Sequence, residues 1–305
     1  MTIHLLSLLT TARLPIVGLA LAATLLVAVD ASAQIEPGQQ ERITLSPSST
    51  TLRVDAGETK RGSMTVINDG DVAYGFSVYA RPYSVANELY EPDFTNPKPN
   101  TDVYTWVQFG QTNYRIEPGE QVEVDYTVRV PADATPGGHY GVLFAETAER
   151  GLEGTGVARK KRVGNLLYLT VNGDFATSGA FRGFNLPFWQ TSAPVVSTAR
   201  IENTGNADFR ATVNTTAKDL FGRTKFSYTG DPIVLPGTTR LAEMPWENAP
   251  SFGLFKVNQS VEFLDQKHHN DGFVLIAPVW FPFVLVVAIV GGVVHAVLKR
   301  RHTRR

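Results

Sequence analysis

From residue 40 to about residue 270 the chain alternates. "QVEVDYTVRVP" sets Val122, Val124, Tyr126, Val128 and Val130 on one side and Glu123, Asp125, Thr127 and Arg129 on the other, until Pro131 stops the run. A period of two sustained over nine residues is the pattern of a half-buried β-strand. "SMTVIN" repeats it with Met64 and Val66, and "FSVYARP" with Phe76, Val78 and Ala80. "GVLFAE", "NLLYLTV", "VSTARIEN", "RATVNTT" and "QSVEFL" are further segments of strand composition. Turn formers separate them: "NDGD" at 68–71, "EPGE" at 117–120, "NTGN" at 203–206 and "LPGT" at 235–238. Helical periodicity is nearly absent here. Strands with no helices to cover a parallel sheet predict antiparallel sandwiches.

The two ends read differently. "MTIHLLSLLTTARLP" carries Arg13 and no acid, an apolar run follows to Val29, and "ASA" at 31–33 offers small residues for a signal peptidase. That predicts an export signal over 1–33, cleaved after Ala33; the apolar run is shorter than the roughly 20 residues that span a bilayer. From Gly272 to Leu298 there is no Asp, Glu, Lys or Arg, and "KRRHTRR" follows. This predicts a single transmembrane helix over 273–298, with Trp280 at its outer interface and a basic tail, 299–305, on the cytoplasmic side. Pro278 and Pro282 predict a kink, or a helix that begins after them. The expectation is a type I, single-pass cell-membrane protein with an extracellular ectodomain.

A weak repeat divides the middle. "TVINDGDVAYGFSV" and "ARIENTGNADFRATV" both read strand, Asn-x-Gly turn, strand, about 135 positions apart, and each precedes a Pro-Gly turn into another strand. The predicted fold class is all-β: two tandem immunoglobulin-like antiparallel β-sandwiches over 41–172 and 175–265, after a linker at 34–40 and before a juxtamembrane linker at 266–272. One large mixed β-domain is the alternative.

Composition narrows the chemistry. Basic and acidic residues number 28 and 29, with much of the base in the tail, so the ectodomain is acidic and nucleic acid is not an expected partner. Cysteine is absent, which excludes disulfides, cysteine metal sites and thiol catalysis. "ATPGGHYGVLFAE" at 134–146 could be a phosphate loop beside a catalytic His139. Its glycines lead into strand composition rather than a helix, and no Gly-Lys-Ser/Thr follows, so a turn with His139 half exposed is expected. His268 and His269 could share a metal with Asp265 and Asp271 only from a loop. His295 falls near the cytoplasmic end of the span. "LPGTT" at 235–239 is similar to a sortase signal but neither ends in Thr-Gly nor precedes the span. "RKKR" at 159–162 reads as a solvated hairpin end. No cofactor, metal or catalytic residue is predicted, and no enzyme.

"LSPSSTTLRVDAGETKRGSMTVINDGD", "YGFSVYARPY", "YTWVQF", "YRIEPGEQVEVDYTVRVPADATPGGHYGVLFAE" and "KRVGNLLYLTVNG" occur in that order. In this order the chain resembles the bacterial WxL-interacting protein family. The resemblance implies an exported surface protein with an immunoglobulin-like domain that binds peptidoglycan, a second β-domain that binds other surfaces, and a C-terminal anchor with a basic tail. The second domain matches in architecture only.

One segment has the composition of a binding surface. "RPYSVANELYEPDFTNPKPNTDVYTW", 81–106, is a long insertion with aromatic side chains among Pro, Asn and acids, and long loops on sandwiches often carry function. Tyr83, Tyr90 and Phe94, with Asn87 and Asp93, are the candidate sugar-binding residues; Trp106 is expected in the core. The expected function is binding of cell-wall peptidoglycan and other surface proteins, through this loop or an exposed strand edge. The alternative is a membrane-tethered assembly chaperone for secreted or pilus-type subunits, with Arg53, Lys60 and Arg61 as candidate basic anchors.

Overall fold

The computed structural model describes residues 40–148 and 160–302. The expected signal peptide, residues 34–39, Arg159 and the last three residues lie outside the described residues. Both sandwiches fall in one compact unit, Glu41–Arg305.

The first sandwich comprises β1 (Ile43–Ser46), β2 (Ser49–Val54), β3 (Thr59–Asn68), β4 (Tyr74–Pro82), β5 (Ser84–Val85), β6 (Pro92–Asp93), a one-turn helix α1 (Val103–Trp106), β7 (Val107–Phe109), β8 (Asn113–Ile116), β9 (Gln121–Arg129), β10 (Gly137–Thr147) and β11 (Arg162–Val171). One sheet runs β1-β3-β9-β7 and the other β2-β11-β10-β4-β8. The alternation in the sequence decides what lies between them. Met64, Val66, Val124 and Val128 from one sheet meet Phe76, Val78, Leu143 and Leu167 from the other. Trp106 joins this core, from α1 rather than from a strand.

The second sandwich comprises β12 (Gly179–Asn185), β13 (Trp189–Gln190), β14 (Val195–Asn203), β15 (Phe209–Lys218), β16 (Thr224–Gly230), β17 (Ile233–Val234), β18 (Thr239–Trp246), β19 (Gly253–Phe263) and β20 (Gln266–Ile276). Its sheets run β12-β14-β18 and β13-β20-β19-β15-β16, with β17 against β15. Ile201 and Met244 pack across onto Val213, Val261 and Phe263. The segment expected as a juxtamembrane linker, 266–272, is the first half of β20, which pairs with β19 from Gln266 to Ile276. Its polar side chains lie on a sheet surface that faces solvent, so it lacks the apolar alternation that marks the other strands. Helix α2 (Phe281–His302) follows and is 22 residues long. It therefore starts after Pro278, not at 273, because Gly272–Ile276 is still strand; Pro282 falls in the first turn, where a proline costs no hydrogen bond. Side chains of α2 are described without a break only from Phe281 to Ala296. Within the described residues no helix is long and apolar enough to cross a membrane.

The repeat seen in sequence is a repeat of buried asparagines. Asn68 and Asn203 are both buried. Each accepts a hydrogen bond from the backbone N–H two residues on, Gly70 and Gly205, at 2.9 Å. Each donates to the carbonyl four residues on, Val72 and Ala207, at 2.8 and 2.9 Å. The backbone of each is also tied to a Pro-Gly turn: Gly119 N–H donates to the Asn68 carbonyl and Gly237 N–H to that of Asn203. Both glycines have positive φ, +74° and +66°, which the turns require and side-chain-bearing residues resist. An apolar sandwich thus closes one end by making a side chain stand in for missing backbone partners. Asn203→Ala, which leaves the carbonyls of Ala207 and Val234 without their donor, is expected to destabilise the chain by about 2–3 kcal/mol, measured as a shift in the denaturation midpoint of the purified protein.

Candidate functional site

Strand β10 departs from the alternation of its neighbours: every residue from Gly137 to Ala145 is buried. One face of it lies in the sandwich core. The other carries Tyr140, Val142 and Phe144 and would face water on an ordinary sandwich. Here the long segment after β4 lies across it. Tyr83 N–H donates to the Tyr140 carbonyl at 3.4 Å, and Tyr140 N–H to that of Asn100 at 2.8 Å. Phe94 meets Phe144 edge to face with centroids 5.0 Å apart, and Tyr83 meets Tyr168 edge to face at 6.1 Å. These contacts continue into the second sandwich through Leu235 and Ile233.

The five candidate binding residues accordingly separate. Tyr83 is buried, with 6% of its surface exposed. Tyr90 bridges the two sandwiches. Its phenol oxygen accepts from Leu235 N–H at 2.8 Å and its hydroxyl lies 2.6 Å from Thr238 Oγ1, which itself donates to the Leu235 carbonyl. The Arg240 guanidinium caps the Tyr90 ring at 4.2 Å. Tyr90 holds a left-handed backbone, φ +64°, a strain of roughly 1–2 kcal/mol that only such fixed contacts sustain. Asn87 is exposed and closes the local turn by donating to Glu91 Oε2 at 3.0 Å. Asp93 collects donors from Thr95 and Asn96, which hold its carboxyl well below the usual range. Phe94 is half buried. Of the five, Asp93 and Phe94 line the larger depression of the groove described next, and Tyr83, Tyr90 and Phe94 line the smaller.

Two depressions of about 660 and 450 Å³ adjoin on this face and share Pro92, Phe94 and Arg162; Arg81, Asp93 and Tyr104 line the larger. The groove ends at an open sheet edge. Strand β2 pairs in parallel only with Leu166–Val171 of β11. Asn165 closes the gap by donating to the Pro47 carbonyl at 2.7 Å and to Thr50 at 3.0 Å. Before it, Arg162–Gly164 have no strand on that side among the described residues. A further depression of about 520 Å³ lies there, between Lys161–Val163 and Glu41–Thr44. No side-chain pattern in the sequence marks this edge, because it arises from where β2 happens to begin.

The remaining candidates take structural places. Gly137 has φ +124°, and a side chain on it would strike the Asn206 carbonyl at 2.6 Å. Gly138 N–H donates to that same carbonyl at 2.8 Å. The glycine pair therefore serves both a turn and the close approach of the second sandwich. Tyr140 seals the contact, donating to Asp208 Oδ1 at 2.8 Å and accepting from Asp208 N–H at 3.0 Å. His139, expected half exposed, is 2% exposed. Its position at the start of β10 points it inward, against Trp106 at 4.7 Å. His268 stacks on Phe181 at 4.4 Å while His269 points the opposite way from β20. Among the described residues no group of His, Asp and Glu is placed to hold a metal ion. In the basic cluster, Lys161 donates to the Glu41 carbonyl and Arg162 lies over the Phe144 ring at 4.3 Å. His295 is exposed on α2.

No protein-family model matches the chain, and no curated protein matches it. Solved structures match loosely. A class 5 fimbriae chaperone, CfaA, has a TM-score of 0.39 and 9% identity over 76% of this chain and 99% of its own. The Salmonella enterica SafB chaperone in complex with the SafA pilin has 0.37 and 13%, over 76% of this chain and 97% of that one. A PapD-like domain of human CEP192 has 0.30 and 14%, over 48% of this chain and 99% of that one. A likeness this loose carries no argument about function.

His139 gives this region a pH response. Nδ1 lies 2.6 Å from Asp102 Oδ1 and Nε2 lies 2.8 Å from the Thr135 carbonyl, both acceptors, so the geometry is satisfied in full only by the doubly protonated ring. Burial alone would lower the histidine pKa, but the Asp102 and Thr135 hydrogen bonds and the Asp102 charge outweigh it, and the pKa is raised. A raised folded value contributes stability that is complete below the ordinary imidazole pKa of about 6.5 and is lost as pH rises through the folded value. Melting temperature measured from about pH 5 to about pH 9 is expected to fall across that window in the wild type and to be flatter in His139→Gln.

Proposed function

We propose that this chain is an exported, non-catalytic binding protein, held at a membrane by α2, that captures an extended segment of another protein by strand addition at the open edge of β11. The observation that carries the reading is that edge: backbone at Arg162–Gly164 that pairs with β10 on one side and, among the described residues, has no ladder partner on the other, where β1 lies near without pairing, between a groove and a cleft. An added strand gains main-chain hydrogen bonds along the edge, and its alternate side chains enter the depressions. Arg81, Lys161 and Arg162 line these depressions and favour an acidic segment or a free C-terminal carboxylate. Arg53, Lys60 and Arg61, the basic residues anticipated for such an anchor, lie instead on β2 and β3, with Lys60 3.7 Å from Glu58. The partner is a secreted or surface protein, as an assembly chaperone or a surface receptor would take. The membrane reading is supported by the exposed apolar side chains of α2, Phe283 and Val287 among them, and by the basic residues that follow it.

The wall-polymer reading rests on Asp93, Phe94 and the half-buried Tyr90 ring, because Tyr83 is buried. A photo-crosslinking residue at Lys161 in the native envelope, with the same residue at Arg129 as control, separates the two. Several-fold more protein adduct at 161 than at 129 is expected. Adducts carrying amino sugars would transfer the site to the wall polymer. No adduct at 161 above that at 129 would sink the edge.

A further inference from the structure

The two ends of the second sandwich differ in kind. At one end the connections at 203–208 and 235–238 meet the first sandwich through Asn206, Asp208, Leu235 and Thr238. At the other, strand registers bring four connections to one level. Val195 pairs with Trp246, Lys218 with Lys256, and Gly253 with Ile276, so the segments 186–194, 219–223, 247–252 and 277–280 share that end. α2 leaves from it.

Each of those segments exposes a large apolar side chain: Phe188 (67%) and Trp189, Leu220 and Phe221 (83%), Phe252, and Trp280. Those of 188–189 and 252 gather about the start of the helix. Trp189 Nε1 donates to the Ala277 carbonyl at 2.9 Å, Leu275 N–H donates to the Phe188 carbonyl at 2.6 Å, and the Phe252 and Phe281 rings lie 5.2 Å apart. Charge is withheld from the same places. Residues 183–199, 248–255 and 272–298 contain no Asp, Glu, Lys or Arg; contact with lipid penalises charge, whereas contact with water favours it. Glu247, exposed at the start of one connection, and the hairpin tip at 219–223 are the exceptions, and the charges of the tip suit a headgroup. Asp219 is paired with Arg223 and Lys225 at 3.0 and 3.5 Å, and the Arg223 guanidinium lies 5.2 Å from the centroid of the Phe221 ring. Cations there can reach lipid phosphates while the Phe221 ring enters the acyl boundary.

We propose that this end of the second sandwich is seated in the headgroup region of the bilayer, so that lipid holds the sandwich by its loops as well as by α2. The inference rests on reading α2 as the membrane span. Two features select lipid as the occupant. Exposed rings from two connections, at 188–189 and 252, flank the point where the helix emerges, so whatever covers them must meet the helix too, as a bilayer does. The connection from β20 to α2, Ala277–Trp280, can reach only about 14 Å when fully extended, so the sandwich has no freedom to stand clear of the interface.

Tryptophan emission of the full-length chain reads this directly. Trp106 and Trp246 are buried, which leaves Trp189 and Trp280 accessible to lipid. The chain is reconstituted in phosphatidylcholine–phosphatidylglycerol vesicles, plain or brominated at the headgroup end of the acyl chains. Trp280→Phe leaves Trp189 as reporter; Trp189→Phe leaves Trp280. Bromination is expected to quench the Trp280→Phe chain to an extent comparable with the Trp189→Phe chain. Quenching of the Trp189→Phe chain alone would overturn the seat and leave the anchor standing. Quenching of neither would overturn both.

Discussion

Strand β10 has no face left for water, and most of the first sandwich's departures from a plain sandwich follow from that. A strand buried on both sides must find cover for the side that normally faces solvent. The chain supplies it with the long segment between β4 and β7 and with the edge of the second sandwich. Three tyrosines then stand at positions where their rings are buried and their hydroxyls need partners. Tyr140 finds Asp208, Tyr90 finds Leu235 and Thr238, and Tyr83 packs against Tyr168. A hydrogen bond between a buried phenol and a carboxylate is worth about 1.5–3 kcal/mol, so polar contacts across this boundary fix geometry that apolar burial alone would leave free to slide.

The alternating strands were legible because each shows one face to a core made by its near neighbours: Val122 to Val128 on β9 is the clearest. The Asn-x-Gly repeat was legible too, though its meaning, two buried asparagines closing two sandwiches, needed the carbonyls they bind. Strand β20 was not legible. Its first half is polar because one sheet face is open to solvent, and polar residues before an apolar run read as a linker. The aromatic insertion was legible as unusual and ambiguous as to purpose. Tyr83, Tyr90 and Phe94 have the composition of a sugar platform, and only the position of the second sandwich decides that Tyr83 and Tyr90 are cover for β10. His139 escaped for a related reason. A lone histidine in a turn says nothing of Asp102, 37 positions earlier, or of the Thr135 carbonyl that fixes its other nitrogen.

The two ends of the second sandwich are unlike. Its upper loops are polar and shaped to the first sandwich, where Gly137 gives way to Asn206. Its lower loops carry exposed rings and few charges, Asp219, Arg223 and Glu247. That division is visible in the connections rather than in the strands, whose inward faces are ordinary sandwich core.

The register of β20 has a mechanical consequence. It is hydrogen-bonded to β19 along eleven residues and reaches α2 after only four more. Traction on the helix along the strand axis would load that ladder in shear. All its rungs then resist together, where a strand pulled sideways would open rung by rung. A body fastened this way yields last at its root.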